Sequence, residues 1–170
     1  DDQNPNWSYG VSKLAAEKYA TIYNIYQNVP TVNLRYAITY GENEWYRRVL
    51  TIFIKRAIEG KELVIFGDGK QIRDFVYVKD VVKLHQLCIQ NDSANGESFN
   101  IGTDEETDII KLANTVAQVA LELTGKKPKI VYEDTKEGSF SKLVPDKKRN
   151  VDELKYMRLN VDKAKKVLGW

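Results

Sequence analysis

The chain has 170 residues, 42% hydrophobic and 29% charged, with 26 basic and 24 acidic side chains and a formal net charge of +2. This near balance, with lysines and glutamates mixed along the chain, gives no electrostatic footprint for nucleic acid or a membrane surface. The lone cysteine, Cys88, excludes an intramolecular disulfide and a thiolate zinc cluster, no apolar run approaches a membrane span, and nothing reads as a signal peptide, so a soluble cytoplasmic protein is expected.

Residues 1–8 read as a polar loop, with Asn6 or Ser8 as helix cap. From Tyr9 to about Asn28 an apolar, tyrosine-rich stripe (Val11, Leu14, Ala15, Tyr19, Ala20, Ile22, Tyr23, Tyr26) predicts a helix covered on more than one side. Pro30 is read as the end of that region. Residues 31–36 predict a strand, 37–45 a loop, and 46–59 a second helix stopped by Gly60. Two short strands follow, 63–66 and 75–78, with Gly67-Asp68-Gly69 read as a hairpin turn. Asp80 is read as the cap of a helix over 81–90, and Cys88 as a small buried hydrophobe within it. A strand over 97–101 leads to a long helix capped by Thr107 or Asp108 and ended by Gly125. A strand over 129–132 comes next, then a polar irregular stretch over 133–158. In that stretch Lys147-Lys148-Arg149 reads as a solvated loop. A short helix over 161–168, capped by Asn160 or Asp162, closes the chain. Helices and strands alternate, so the class is α/β.

Tyr9 and Lys13 stand four apart at the opening of the first helix, which puts a phenol and an ammonium on one face. A neighbouring positive charge favours the phenolate, and such a phenol can exchange a proton with a substrate hydroxyl. With ten tyrosines, about one such spacing arises by chance. A second one, Tyr132–Lys136, falls at a strand end where the spacing does not align two side chains. His85 has no second histidine to share a metal or a triad, and no metal site is expected. No glycine-rich phosphate loop opens a helix, and only one strong early strand precedes the mixed part of the chain.

Several stretches share one resemblance. Tyr9-Gly10-Val11-Ser12-Lys13-Leu14-Ala15-Ala16-Glu17 resembles the catalytic-helix signature of the extended short-chain dehydrogenase/reductases, specifically the nucleotide-sugar epimerases and dehydratases. Asn33-Leu34-Arg35-Tyr36 with Tyr40-Gly41, the run from Ile65 to Val81, Phe99-Asn100-Ile101-Gly102-Thr103, and the closing Leu168-Gly169-Trp170 are similar to that family in order and spacing. The resemblance implies the C-terminal part of a Rossmann-type enzyme with a mixed α/β substrate lobe, lacking an N-terminal half with a glycine fingerprint. In that view residues 1–36 are the tail of the NAD-binding domain and 37–170 are mostly the nucleotide-sugar lobe, with 80–102 packing back on the Rossmann sheet.

The resemblance also implies roles. Tyr9 is the acid/base at the sugar hydroxyl, and Lys13 tunes it and holds the nicotinamide ribose. Tyr36 lies near the nicotinamide. Arg73 binds the diphosphate, where a guanidinium fork suits phosphate oxygens, unless a carboxylate pairs with it instead. Val64 and Phe66 lie against the base, and Lys155 is either a second phosphate contact or a solvated lysine. The implied chemistry is NAD-dependent oxidation of a nucleotide sugar to a transient 4-keto sugar, as in a UDP-glucose 4-epimerase. A 4,6-dehydratase, or an inactive binding and dimerisation module, are the alternatives, and a homodimer is expected. Ile38 replaces the family's common asparagine, Glu42 a common proline, and Asp152-Glu153-Leu154-Lys155 a glycine-containing stretch, so the sequence leaves the sugar, the nucleotide and the choice between NAD and NADP open.

Overall fold

The computed structural model describes residues 4–5, 7–45, 47–151 and 153–170. Asn6, one of the two expected caps, lies outside the described residues, as do Tyr46 and Asp152. In chain order the elements are α1 (Ser8–Gln27), β1 (Asn33–Tyr36), β2 (Ile38–Tyr40), α2 (Val49–Ile58), β3 (Leu63–Phe66), β4 (Ile72–Arg73), β5 (Phe75–Tyr77), α3 (Val78–Ile89), β6 (Ser98–Ile101), β7 (Thr107–Asp108), α4 (Ile109–Thr124), β8 (Ile130–Glu133) and α5 (Asp162–Leu168). A single 3₁₀ turn, Asp92–Ala94, follows α3.

Several boundaries differ from the sequence reading, each for a local reason. Ser8 lies inside α1 rather than capping it. The helix stops at Gln27 because Asn28 turns left-handed (φ 53°) and its N–H reaches back to the Tyr23 carbonyl; asparagine tolerates that conformation, so Pro30 is not the terminator. Asp80 is not a cap either. Helix α3 begins two residues before it, at Val78, and Asp80 sits in the first turn, where a carboxylate favours the positive end of the helix dipole. Gly67-Asp68-Gly69 is a turn but not a hairpin: β3 pairs in parallel with β8, and β4 pairs antiparallel with β7. Residues 38–40, read as loop, form β2.

The chain divides into two compact units. The first takes residues up to Thr39, Val76–Asp104 and Leu159–Trp170. Its frame is the parallel pair β1–β6, in register from Asn33↔Ser98 to Tyr36↔Ile101. Strand alternation sends Leu34, Phe99 and Ile101 to one face, where they pack with Leu84, Ala94, Ala164 and Leu168. The opposite face carries Arg35 and Ser98, and both bind Glu17 of α1. A further tie runs from the Thr31 hydroxyl to the Ala20 carbonyl (3.1 Å). Trp170 closes the unit by donating its indole N–H to the Gly102 carbonyl (2.8 Å).

The second unit takes Tyr40–Phe75 and Glu105–Arg158. Leu63 and Ile65 of β3 are fully buried against Phe53 and Ala57 of α2 and against Ile109, Leu112, Ala113, Val116 and Ala117 of α4. The intervening residues Val64 and Phe66 therefore point to the other face of β3. Of the two caps the sequence offered for α4, the structure uses Asp108, whose carboxylate accepts from the Lys111 N–H, and Gly125 is left-handed at the helix end (φ 71°). Strand β4 also has a backbone neighbour on its other side. The Ile72 N–H donates to the Lys155 carbonyl (2.9 Å), and the Met157 N–H donates to the Ile72 carbonyl (3.1 Å). That lacing brings the polar 133–158 stretch against Arg73.

Candidate functional site

In the first unit, α1 carries Tyr9 and Lys13 on one exposed stripe. Tyr9 is 64% exposed. The Lys13 ammonium stands 5.4 Å from the centroid of its ring, within cation–π range. The Ser12 hydroxyl donates to the Tyr9 carbonyl (2.7 Å), which uses a polar group close to the phenol on the helix itself. Gly10 leaves room beside the stripe for Pro5 and Trp7, since a Cβ there would come within 2.8 Å of Pro5 and 3.2 Å of Trp7. The helix is tied to the sheet at Glu17, whose carboxylate takes both Nε and Nη2 of Arg35. Glu17 continues the spacing of Tyr9 and Lys13, so the residue that fixes the helix lies along the stripe that presents the phenol.

Tyr36 sits at the C-terminal end of β1, and its neighbour Arg35 faces α1. Its ring stacks on His85 of α3 (centroids 6.1 Å apart, planes at 27°). His85 Nδ1 lies 2.7 Å from the Val81 carbonyl, which can only accept, so Nδ1 carries the proton. In the neutral ring Nε2 then accepts from the Tyr36 hydroxyl at 3.1 Å. Burial pushes the Tyr36 phenol above its ordinary value, with a smaller push from Cys88. Burial likewise raises the Cys88 thiol, which is half-buried beside the Phe99–Leu84 core.

In the second unit, Arg73 is bound to a carboxylate, and the carboxylate is Glu153 rather than the adjacent Asp74. Arg73 Nη2 lies 3.5 Å from Glu153 Oε1, and Nη1 donates to the Ile72 carbonyl (2.8 Å). Glu153 also meets Arg149, whose Nε lies 3.3 Å from Oε2. Arg149 Nη1 donates to the Thr135 carbonyl (2.7 Å). All three side chains are mostly buried: Arg73 is 14% exposed, Arg149 17% and Glu153 21%. Burial pulls the Arg73 guanidinium below its ordinary value, and Glu153 pulls it back.

Gln71 completes this cluster. Its Nε2 donates to the Phe66 carbonyl (3.2 Å) and toward Glu153 (3.4 Å). Its Oε1 is buried without a hydrogen-bond partner, a costly state that a ligand hydroxyl or N–H would relieve. Gly67 has φ +67° and lies under Arg149, so that a Cβ would sit 3.2 Å from Nη2. Glycine is thus required there both by backbone conformation and by the guanidinium packed on it.

This arrangement corrects the reading of Lys147-Lys148-Arg149 as a solvated run at its two ends, while Lys148 is exposed as expected. Arg149 is mostly buried at the cluster, and Lys147 donates to the Arg47 carbonyl (2.9 Å). Burial draws the Lys147 ammonium down most, while Asp146 and Glu153 raise it and Arg47 lowers it further. Arg149 is the functional candidate that sequence reasoning missed. The available signal was an arginine four before a glutamate in a polar stretch, and it points nowhere without β4 beside it. Lys155 is exposed, and it joins the cluster's surroundings through its backbone carbonyl on Ile72. Val64 is buried on β3, and Phe66, half-buried, touches the cluster through the carbonyl that Gln71 engages. Among the described residues no group of three or more His, Cys, Asp or Glu side chains is placed to hold a metal ion. No described helix is long and apolar enough to cross a membrane.

The first unit thus carries a phenol with an ammonium beside it on one helix, and the second carries two part-buried guanidiniums that share one carboxylate. The family described as "NAD dependent epimerase/dehydratase family" matches residues 1–102, and this chain belongs to it. A putative UDP-glucose 4-epimerase of Methanocaldococcus jannaschii is 33% identical over 149 residues, covering 86% of this chain and 47% of that protein. A UDP-N-acetyl-alpha-D-glucosaminuronate decarboxylase of Bacillus cytotoxicus is 34% identical over 157 residues, covering 89% of this chain and 47% of that protein. Among solved structures, the UDP-glucose 4-epimerase of Thermotoga maritima with UDP-glucose superposes with a TM-score of 0.73 at 32% identity, covering 95% of this chain and 47% of that one. The chain spans about half the length of the curated relatives it matches. Its fold class is that of the Rossmann-type extended short-chain dehydrogenase/reductases, mixed α/β with parallel strand pairs.

Proposed function

We propose that this chain serves an NAD-dependent nucleotide-sugar 4-epimerase of the UDP-glucose type. The observation that carries the reading is the exposed Tyr9 phenol with the Lys13 ammonium beside it on α1. Tyr9 takes the proton from the sugar's 4-hydroxyl and returns it, which is general acid–base work by a positioned side chain. Lys13 is the cation beside the phenol and a donor for the ribose of the cofactor. Tyr36, exposed at the C-terminal end of a parallel strand where such sheets take their ligands, is the third cofactor contact. NAD, when bound, supplies a reversible two-electron oxidation of the sugar alcohol. The donor set fits it: a phenol and an ammonium standing in solvent are free to meet a ribose.

Arg73 and Arg149 hold the diphosphate of the nucleotide sugar, with Val64 and Phe66 along the base. In this reading Arg149 takes the second phosphate role, one of the two alternatives left open for Lys155, because Arg149 is fixed beside Arg73 and the exposed Lys155 is not. The first unit is the cofactor-side lobe and the second the nucleotide-sugar lobe. The enzyme works in the cytoplasm as a homodimer, supported by the tyrosine-rich exposed face of α1, where Tyr19 and Tyr26 are 66% and 73% exposed.

The enzyme carrying this chain, supplied with NAD, is expected to interconvert UDP-glucose and UDP-galactose or an analogous pair. A stable 4-keto-6-deoxy product would decide instead for a 4,6-dehydratase, the other activity in the family's description. The 170-residue chain by itself is expected to bind NAD weakly, since no glycine-rich phosphate loop occurs in it. Low-micromolar binding in calorimetry would overturn that, and would remove the module reading of the isolated chain with it. Sedimentation as a monomer at high concentration would overturn the dimer.

A further inference from the structure

We propose that Glu153 is a standing counterion of the Arg73–Arg149 pair and sets its selectivity, so that the site prefers a nucleoside diphosphate esterified to a sugar over the free nucleoside diphosphate. The inference rests on the nucleotide-sugar reading above and adds to it the residue that chooses between ligands of different charge.

The contact lengths make the first part of the case. Each guanidinium is anchored to a backbone carbonyl by a short bond, Arg73 to Ile72 at 2.8 Å and Arg149 to Thr135 at 2.7 Å. Their contacts to Glu153 are longer, 3.5 and 3.3 Å, and Gln71 reaches it at 3.4 Å. These lie at or beyond the long end of hydrogen-bond range, where the bonds are weak. The arginines are thus positioned without Glu153, and the carboxylate is the loosely held member. Phosphate oxygens can take its place on Arg73 Nη2 and Arg149 Nε, while both guanidiniums keep their backbone anchors.

Charge makes the second part. Among the described residues of the cluster two guanidiniums meet one carboxylate. Lys147 is also within electrostatic range of Glu153, and it has Asp146 and Arg47, opposite in sign, as its own charged neighbours. The side chains are mostly buried, so the charges are poorly screened. A sugar-esterified diphosphate carries one ionisable proton fewer than the free diphosphate. The terminal phosphate of the free form loses its last proton at about pH 6, as phosphate monoesters do, and brings one more negative charge at neutral pH. Glu153, displaced but still tethered beside the arginines, repels that extra charge. A glutamine at 153 fills the same space and removes the repulsion. The unpartnered Gln71 Oε1 marks the same spot as one that a ligand donor completes.

The test is calorimetric titration of the 170-residue chain with UDP and with UDP-glucose, in wild type, Glu153→Gln and Glu153→Asp, at low and high salt. Glu153→Gln is expected to tighten UDP about tenfold and UDP-glucose by about threefold or less, with the gap closing at high salt. Glu153→Asp keeps the charge and is expected to keep the wild-type ratio. The ratio is taken within one protein, so it does not depend on the variant's overall stability. An unchanged ratio in Glu153→Gln, with both ligands bound, overturns the inference and leaves the nucleotide-sugar reading standing. Inorganic pyrophosphate separates the remaining cases. If wild type ignores both nucleotides but Glu153→Gln gains pyrophosphate affinity, the counterion role holds and the nucleotide-sugar reading falls. If neither protein binds any of the three, the inference is overturned.

Discussion

The two units present their chemistry in opposite ways. In the first, Tyr9 and Lys13 stand in solvent on a helix with no buried residue, and their main relation is to each other. In the second, Arg73, Arg149, Glu153 and Gln71 form a mostly buried network seated on backbone carbonyls and on Gly67. In the proposed reading Tyr9 transfers a proton, which needs a group that can reach its substrate and change protonation state. In the same reading the arginines bind charge, which needs groups held still and kept from water. It follows that changes at Tyr9 should alter chemistry and spare stability, whereas changes in the arginine cluster should alter both.

The sharpest test is Tyr9→Phe in the NAD-supplied enzyme. Turnover is expected to fall about 10²–10⁴-fold, with the thermal midpoint of the 170-residue chain nearly unchanged because the lost hydroxyl is exposed in it. Full turnover in the variant would show that the proton goes elsewhere. Arg73→Ala is next. Nucleotide-sugar affinity should weaken about 10–100-fold, the value of a charge-assisted contact, and the midpoint should drop because Glu153 loses a partner. A drop in affinity with no loss of stability would break the contrast between the two sites. Asp108→Ala removes the cap of α4 and should cost about 1 kcal/mol in denaturant unfolding, with nucleotide binding retained.

The smallest expected effect concerns pH. Burial pushes the Glu133 carboxyl up, but hydrogen bonds from the Ser141 hydroxyl and the Lys142 N–H outweigh it and leave the group below its ordinary 4.5. A carboxyl lowered in the folded state stabilises the fold above its unfolded range and loses that contribution as pH falls through the folded value. The second unit should therefore soften in acid, and Glu133→Gln should flatten that slope, as read by thermal midpoints across the acid limb. An unchanged slope would place the acid sensitivity elsewhere.

Much of this was legible in the sequence. The extent of α1, the α4 cap at Asp108, the Gly125 stop and the Tyr9–Lys13 spacing are all local patterns, set within a few residues by helix geometry; the cover expected over the α1 stripe is not present in this chain, where the helix has no buried residue. The failures are non-local. Gly67-Asp68-Gly69 has the composition of a hairpin, yet β3 finds its partner at β8, more than sixty residues on, because Leu63 and Ile65 bury against α2 and α4. The spacing of Arg149 to Glu153 could not be read alone because its meaning depends on Arg73 as well, and these three meet only when β4 takes Lys155 and Met157 as backbone neighbours. The contact of His85 with Tyr36 is non-local too, since an imidazole on α3 meets a phenol on β1 forty-nine residues earlier.

The Glu17–Arg35 fork has a consequence for how α1 is timed as well as where it lies. Tyr9, Lys13 and Glu17 advance around the helix by roughly 40° per step of four residues. Gripping Glu17 from the sheet through Arg35 and Ser98 thus sets the angular phase of the whole stripe two turns away. A slip of one residue in that grip would rotate the phenol by about 100°, enough to aim it at a different target without moving the helix axis at all. The helix behaves as a rotor with a stop, and the stop is a salt bridge.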